Sequence, residues 1–171
     1  MKRTEIAGVA GAAAIAAGVV VGIMQWDSLF GSNQTASAAG EAALAELRIP
    51  ADDARLAAQG APLYEEACAS CHGSDLEGAP DWKQPLADGS YPAPPHDETG
   101  HTWHHPDGFL FAYTKLGGQP FMPDGRKSGM PGFAERYSDQ QILAILAYIK
   151  STWPEDAVAQ QARITERASG G

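Results

Sequence analysis

Every regular segment signalled by this 171-residue sequence is helical, and the predicted fold class is all-α with long, proline-rich loops. Three observations carry that expectation. Apolar residues recur at helical spacing through Leu56, Leu63, Tyr64 and Ala67, and again through Ile142, Leu143, Ile145, Leu146 and Ile149. The 12 prolines fall, Pro62 apart, between such stretches, where they stiffen loops. An uncharged Ala/Gly/Val-rich run from Ile6 to Met24 precedes the rest and reads as an N-terminal transmembrane helix or signal segment.

At the helical rise that run spans ~28 Å, close to the hydrocarbon thickness of a bilayer. Lys2 and Arg3 ahead of it set the N-terminus inside and the remainder outside the cytoplasmic membrane. Ala36-Ser37-Ala38 has the small-x-small form of a cleavage site but lies far past Met24, so a retained anchor is favoured over a cleaved signal. Either way the domain is expected on the periplasmic side. Gly18 and Gly22 are spaced for a close helix contact, though such glycines are common filler in these segments.

The chain divides into an anchor or signal segment at 1–25, a flexible linker at 26–51, a domain at 52–154 and a polar, loosely helical tail at 155–171. Within the linker, Glu41 to Arg48 has the propensity for a short helix with little to bury. Asp52 and Asp53 are candidate caps for the first domain helix. Pro62 removes a backbone donor inside that helix, which predicts a kink or restart near Gly60.

The chemistry concentrates in Cys68-Ala69-Ser70-Cys71-His72. Two thiols three positions apart followed by an imidazole form the attachment signature of a c-type haem. Each sulfur adds to one vinyl group of the porphyrin, and the imidazole of His72 can then bind iron as the proximal ligand. A zinc site would need further thiols or a Cys/His set, and the chain has no third cysteine. A thioredoxin-type dithiol would need a βαβ setting, which the sequence lacks.

Iron needs a second axial ligand or an open site. Met130, in Ser128-Gly129-Met130-Pro131-Gly132-Phe133, is the leading candidate, because it lies a short loop before the last domain helix. Met122, in Phe121-Met122-Pro123, competes, and either methionine could be core filler. The net charge of −9, from 12 basic and 21 acidic residues, argues against nucleic-acid binding. Lys83, Lys115, Arg126 and Lys127 could still make a locally basic haem mouth, or could be scattered solvated charges.

Cys68-x-x-Cys71-His72, the later Met130-Pro131-x-Phe133 and a closing amphipathic helix resemble a class I monohaem c-type cytochrome of the membrane-anchored bacterial type, over about Asp52 to Pro154. The resemblance implies an all-α class I cytochrome c fold in which one covalent haem c fills much of the core. It implies that Gly60 and Tyr64 lie where the first helix crosses the last, with Tyr148 opposite; Pro62 departs from the usual run there. It also implies that a proline carbonyl after the attachment motif, from Pro94 or Pro95, orients the proximal imidazole.

Four of the five histidines fall in His96-Asp97-Glu98-Thr99-Gly100-His101-Thr102-Trp103-His104-His105-Pro106-Asp107. The tract could hold copper or zinc, could bond haem propionates or line a docking surface, or could simply pack and lead into a helix. In the last case His105 is the cap and Pro106 the first helical residue. That helix runs from Asp107 to about Leu116, stopped by Gly117-Gly118. Ser138 to Gln141 form a capping box for the closing helix, and Lys150 suits its C-terminal dipole.

The expected function is one-electron transfer by haem with His72/Met130 ligation, without enzymatic activity, on the outer face of the cytoplasmic membrane. Partners would be a bc-type complex or dehydrogenase and a terminal oxidase. The alternatives are a haem-based sensor or peroxidase-like enzyme that binds a small ligand, and a metal-binding module using the His96–His105 tract.

Overall fold

Asp53 starts the first domain helix, its carboxylate accepting from the Leu56 N–H at 2.9 Å. In the computed structural model, which describes residues 38–170, that helix, α1, runs Ala54–Ala67. It is followed by α2 (Ala69–His72), α3 (Asp107–Leu116), α4 (Asp139–Ser151) and α5 (Glu155–Ser169), with short 3-10 turns at Thr102–His104 and Gln119–Phe121. Residues 38–45 are also helical, and there is no strand among the described residues. Contacts divide the chain into two units, Met1–Glu41 and Ala42–Gly171, and all five of these helices belong to the second. The anchor, Ala36 and Ser37 of the cleavage motif, and the first part of the linker lie outside the described residues. Among the described residues no helix is long and apolar enough to cross a membrane.

The fold turns on the crossing of α1 and α4. A β-carbon on Gly60 would run into the carbonyl of Ala144, so only a bare backbone permits this approach. One turn on, the rings of Tyr64 and Tyr148 sit 5.4 Å apart. The helix does not restart at Pro62: it is continuous from Ala54 to Ala67. Pro62 and Ala58, whose carbonyl loses its helical donor, are both exposed, so water can replace the bond.

The capping box of α4 is present, with Ser138 Oγ accepting from Gln141 N and Gln141 Oε1 accepting from Ser138 N. Ile142, Ile145, Leu146 and Ile149 are buried against Tyr64, Leu110, Phe111, Phe133 and Trp153. A cap contributes about 1 kcal/mol, whereas each such side chain contributes roughly 1.5–3 kcal/mol on burial. Packing therefore holds the helix, and the cap fixes where it begins.

The chain ends depart from expectation. Residues 42–51 are not wholly flexible linker: Leu44 and Leu47 pack on the core, Ile49 is buried, and its N–H donates to Asp107 Oδ2 at 2.9 Å. Residues 155–169 are the helix the polar tail was expected to form, and it is not loose: it buries Ala157, Gln161 and Thr165. Lys150 lies in the last turn of α4, as expected, but it is also buried, 4% exposed and paired with Asp107 at 2.7 Å. The deepest of these contacts, among Asp107, Lys150, Gln161 and Thr165, are polar and gave no apolar signal. Pro106, not His105, caps α3, which makes Asp107 its first residue.

Candidate functional site

Cys68 ends α1, and α2 continues as a single turn in which the His72 N–H bonds the Cys68 carbonyl at 2.9 Å. Residues three and four apart share a helical face, so Cys68, Cys71 and His72 are presented together. Cys68 and His72 are buried, while Cys71 is exposed. Gly73, at φ 81°, then turns the chain away, its carbonyl taken by the Tyr64 hydroxyl at 3.0 Å.

The His72 ring is held on its other edge. Nδ1 lies 2.8 Å from the Pro94 carbonyl, so it carries the proton and Nε2 keeps its lone pair. Of the two prolines left open by the sequence, Pro94 supplies this carbonyl; that of Pro95 faces the Thr102 hydroxyl at 3.5 Å. Burial pulls the imidazole's pKa down, against the opposing effect of the Pro94 bond. The free base, the form that can bind a metal, is thereby favoured.

Sequence reading missed the support behind this ring. His96 stacks on His72, with centroids 3.8 Å apart and planes 16° apart, and meets the edge of Tyr64. The His96 backbone is pinned twice: its N–H donates to Leu76 O at 2.8 Å, and its carbonyl accepts from Trp153 Nε1 at 2.7 Å. Leu76 does this from a left-handed backbone at φ 64°, a conformation costing a non-glycine residue roughly 1–2 kcal/mol. Positive φ at a leucine leaves no mark in sequence. Burial drives the His96 pKa well down, so no charge stands beside His72, and His96 Nδ1 has no partner.

Met130 lies across the end of α3. Its carbonyl accepts from Gly118 N at 3.0 Å, and Phe133 N donates to the Thr114 and Lys115 carbonyls. Gly117, at φ 81°, faces Gly132 so closely that a β-carbon on either would strike backbone. Met130 is half-buried against the core; Met122, after the Gln119–Phe121 turn, is half-buried but outside that cluster.

The histidine tract disperses. His101 stacks on Trp82 (5.4 Å), His104 meets Trp103 edge-on, and His105 stacks on Phe109 (4.6 Å). Among the described residues, no group of three or more His, Cys, Asp and Glu is gathered so as to hold a metal ion. Lys115 is drawn to Asp139 at 2.7 Å and Lys83 lies over Trp82, leaving Arg126 and Lys127 as exposed charges of the expected basic mouth.

Two thiols and a lone-pair nitrogen on one helical turn, with the imidazole's other edge fixed, suit a covalently bound haem. The set fits because His72 Nε2 is left free by the Pro94 bond. Such an arrangement is what a c-type haem protein with an all-helical domain requires. The family model for cytochrome c matches residues 57–153, more than half of the chain, and the chain belongs to that family. Its cofactor is covalent haem c, and its chemistry is haem-based electron transfer with redox partners. No curated protein and no solved structure matches the chain.

Proposed function

We propose that this chain is a one-electron carrier bearing one haem c, attached through Cys68 and Cys71 and ligated by His72 and Met130. The observation that carries this reading is the 2.8 Å bond from His72 Nδ1 to the Pro94 carbonyl. Haem iron, alternating between ferrous and ferric forms, supplies the redox chemistry. The protein's part is to keep its ligands still. Pro94 fixes the tautomer of His72, and the His96 stack blocks rotation of its ring. Gly118 and Phe133 tie the Met130 segment to the end of α3, so the thioether is offered from backbone that is itself bonded. Little rearrangement then accompanies electron transfer, and no substrate pocket is needed.

In this reading the segment at 1–25 anchors the domain on the outer face of the cytoplasmic membrane. Lys2, Arg3 and the apolar run support that placement. Tethering raises the effective concentration near membrane complexes. Electrons would come from a bc-type complex or a dehydrogenase and pass to a terminal oxidase, and the chain could serve as a subunit of such a respiratory complex.

The test is spectroscopic. Full-length protein matured with haem should show the far-red thioether–iron band when oxidised, and should resist carbon monoxide when reduced. Met130→Ala should abolish the band and admit carbon monoxide, while Met122→Ala should leave both unchanged. The reverse pattern would move the ligand to Met122. Carbon monoxide binding by the unaltered protein would favour a ligand-binding sensor instead. Membrane fractionation, with and without residues 1–25, tests the anchor.

A further inference from the structure

The histidine tract leaves a set of donors unclaimed by the fold. Its carboxylates are spent elsewhere: Asp97 Oδ1 accepts from the Thr99 N–H and hydroxyl, and Asp107 is bound by Lys150, Gln161 and Ile49. Trp103 Nε1 donates to the Glu98 carbonyl, and the Glu98 side chain is exposed. His101 and His105 remain. Each has one ring face covered, by Trp82 and by Phe109, and the two rings meet edge-on at 5.6 Å. Neither ring makes a hydrogen bond among the described residues. Lys83, over Trp82, lies close enough to oppose the charging of His101.

Imidazole N–H groups beside an ammonium group, with no protein carboxylate aimed at them, form a receptor for an anion. The chain carries 21 acidic residues, yet none is paired with these two rings among the described residues. Burial lowers both imidazoles below the usual histidine range, so near neutral pH each offers one N–H and one lone pair.

Position says which anion. At one end the tract rests on Pro95, where a β-carbon on Gly100 would strike the Pro95 carbonyl, next to the Pro94 that orients His72. At the other, His105 continues through Phe109 to Phe121, the residue before Met122, and to Tyr113, whose hydroxyl meets Ser128 beside the Met130 segment. The tract thus bridges the two loops that flank the iron under His72/Met130 ligation. Thioether bonds at Cys68 and Cys71 fix the vinyl-bearing edge of the porphyrin. Its two propionates extend from the other two pyrroles, and their negative charge must be met as the ring is buried.

We propose that His101 and His105 are the receptor for the haem propionates, with Lys83 as the outer cation. This rests on the haem reading. Full-length protein would be matured with haem carrying carbon-13 in the propionate carboxyls, and redox-induced infrared difference spectra recorded. The isotope-marked carboxylate bands should shift in His101→Phe, in His105→Phe and most in the double variant. They should stay in place in His104→Phe, and His101→Gln and His105→Gln should restore part of the wild-type pattern. Bands in the double variant identical to wild type, with haem attached, would overturn the assignment. Should the variants fail to mature, the unaltered ferrous protein decides: nuclear Overhauser contacts between propionate methylenes and the His101 and His105 ring protons are expected, and their absence refutes it. Colourless wild-type protein would sink the haem reading itself, a distinct result.

Discussion

Two buried polar centres lie in this domain, and they are built in opposite ways. In one, Asp107, Lys150, Gln161 and Thr165 answer each other: Lys150 Nζ donates to Asp107 Oδ1 and Gln161 Oε1, and Gln161 Nε2 donates to Asp107 Oδ1 at 2.7 Å. The Ile49 N–H takes the second Asp107 oxygen, and the Asp107 N–H bonds Thr165 Oγ1. In the other, around His72 and His96, Nδ1 of His96 is unmatched and Nε2 of His72 is left over. A closed network ties chain segments together; an open one leaves atoms for something from outside. The first joins residue 49, α3, α4 and α5, and the second gathers at the end of α1. Their difference separates residues that hold the domain from residues that serve the cofactor.

The sharpest way to break that distinction is Lys150→Met. Removing one partner of a buried ion pair leaves the Asp107 charge under-compensated, at a cost of about 3–5 kcal/mol. A large drop in the urea midpoint is expected, with the haem spectrum unchanged under native conditions. A loss below about 1 kcal/mol would mean that water or Gln161 can replace the ammonium. Gly60→Ala strikes the joint between the centres, where the new β-carbon meets the Ala144 carbonyl. Separating α1 from α4 should cost about 2 kcal/mol and, because α1 leads into Cys68 and His72, also move the midpoint potential.

Trp153→Phe removes the 2.7 Å bond to the His96 carbonyl, a link from the end of α4 to the ligand's support. A loss of about 1–2 kcal/mol is expected in denaturant titrations. His96→Leu should have the smallest effect on stability. It deletes a buried nitrogen that lacks a partner, so stability should hold or rise by up to about 1 kcal/mol. Its effect belongs in the midpoint potential and in the rotational freedom of His72, read by magnetic resonance. If this variant lost more than Trp153→Phe, the proximal centre would be a structural knot as well.

Much of the fold was legible because its signals are local. A capping box, an aspartate before a helical run and two glycines after one act within a few residues. The attachment motif is equally local, since its chemistry sets its spacing. Long-range partners were less so. Pro94 could not be chosen over Pro95 until the chain returned from Gly78, which packs against both prolines. His96 looked like one more member of a tract, and only a left-handed Leu76 turns it onto His72. The interior role of the last helix went unread because the side chains it buries most deeply, Gln161 and Thr165, are polar.

The sequence alone thus determined most of the helices, the caps of α1 and α4 and the covalent haem motif, since each is set by bonds reaching no more than about one turn. The tertiary structure decided which carbonyl orients His72, what lies behind its ring, and that Lys150 is interior. Those outcomes depend on residues far apart in the chain, His72 and Pro94 or Asp107 and Lys150, being brought within hydrogen-bonding distance, which no local pattern specifies.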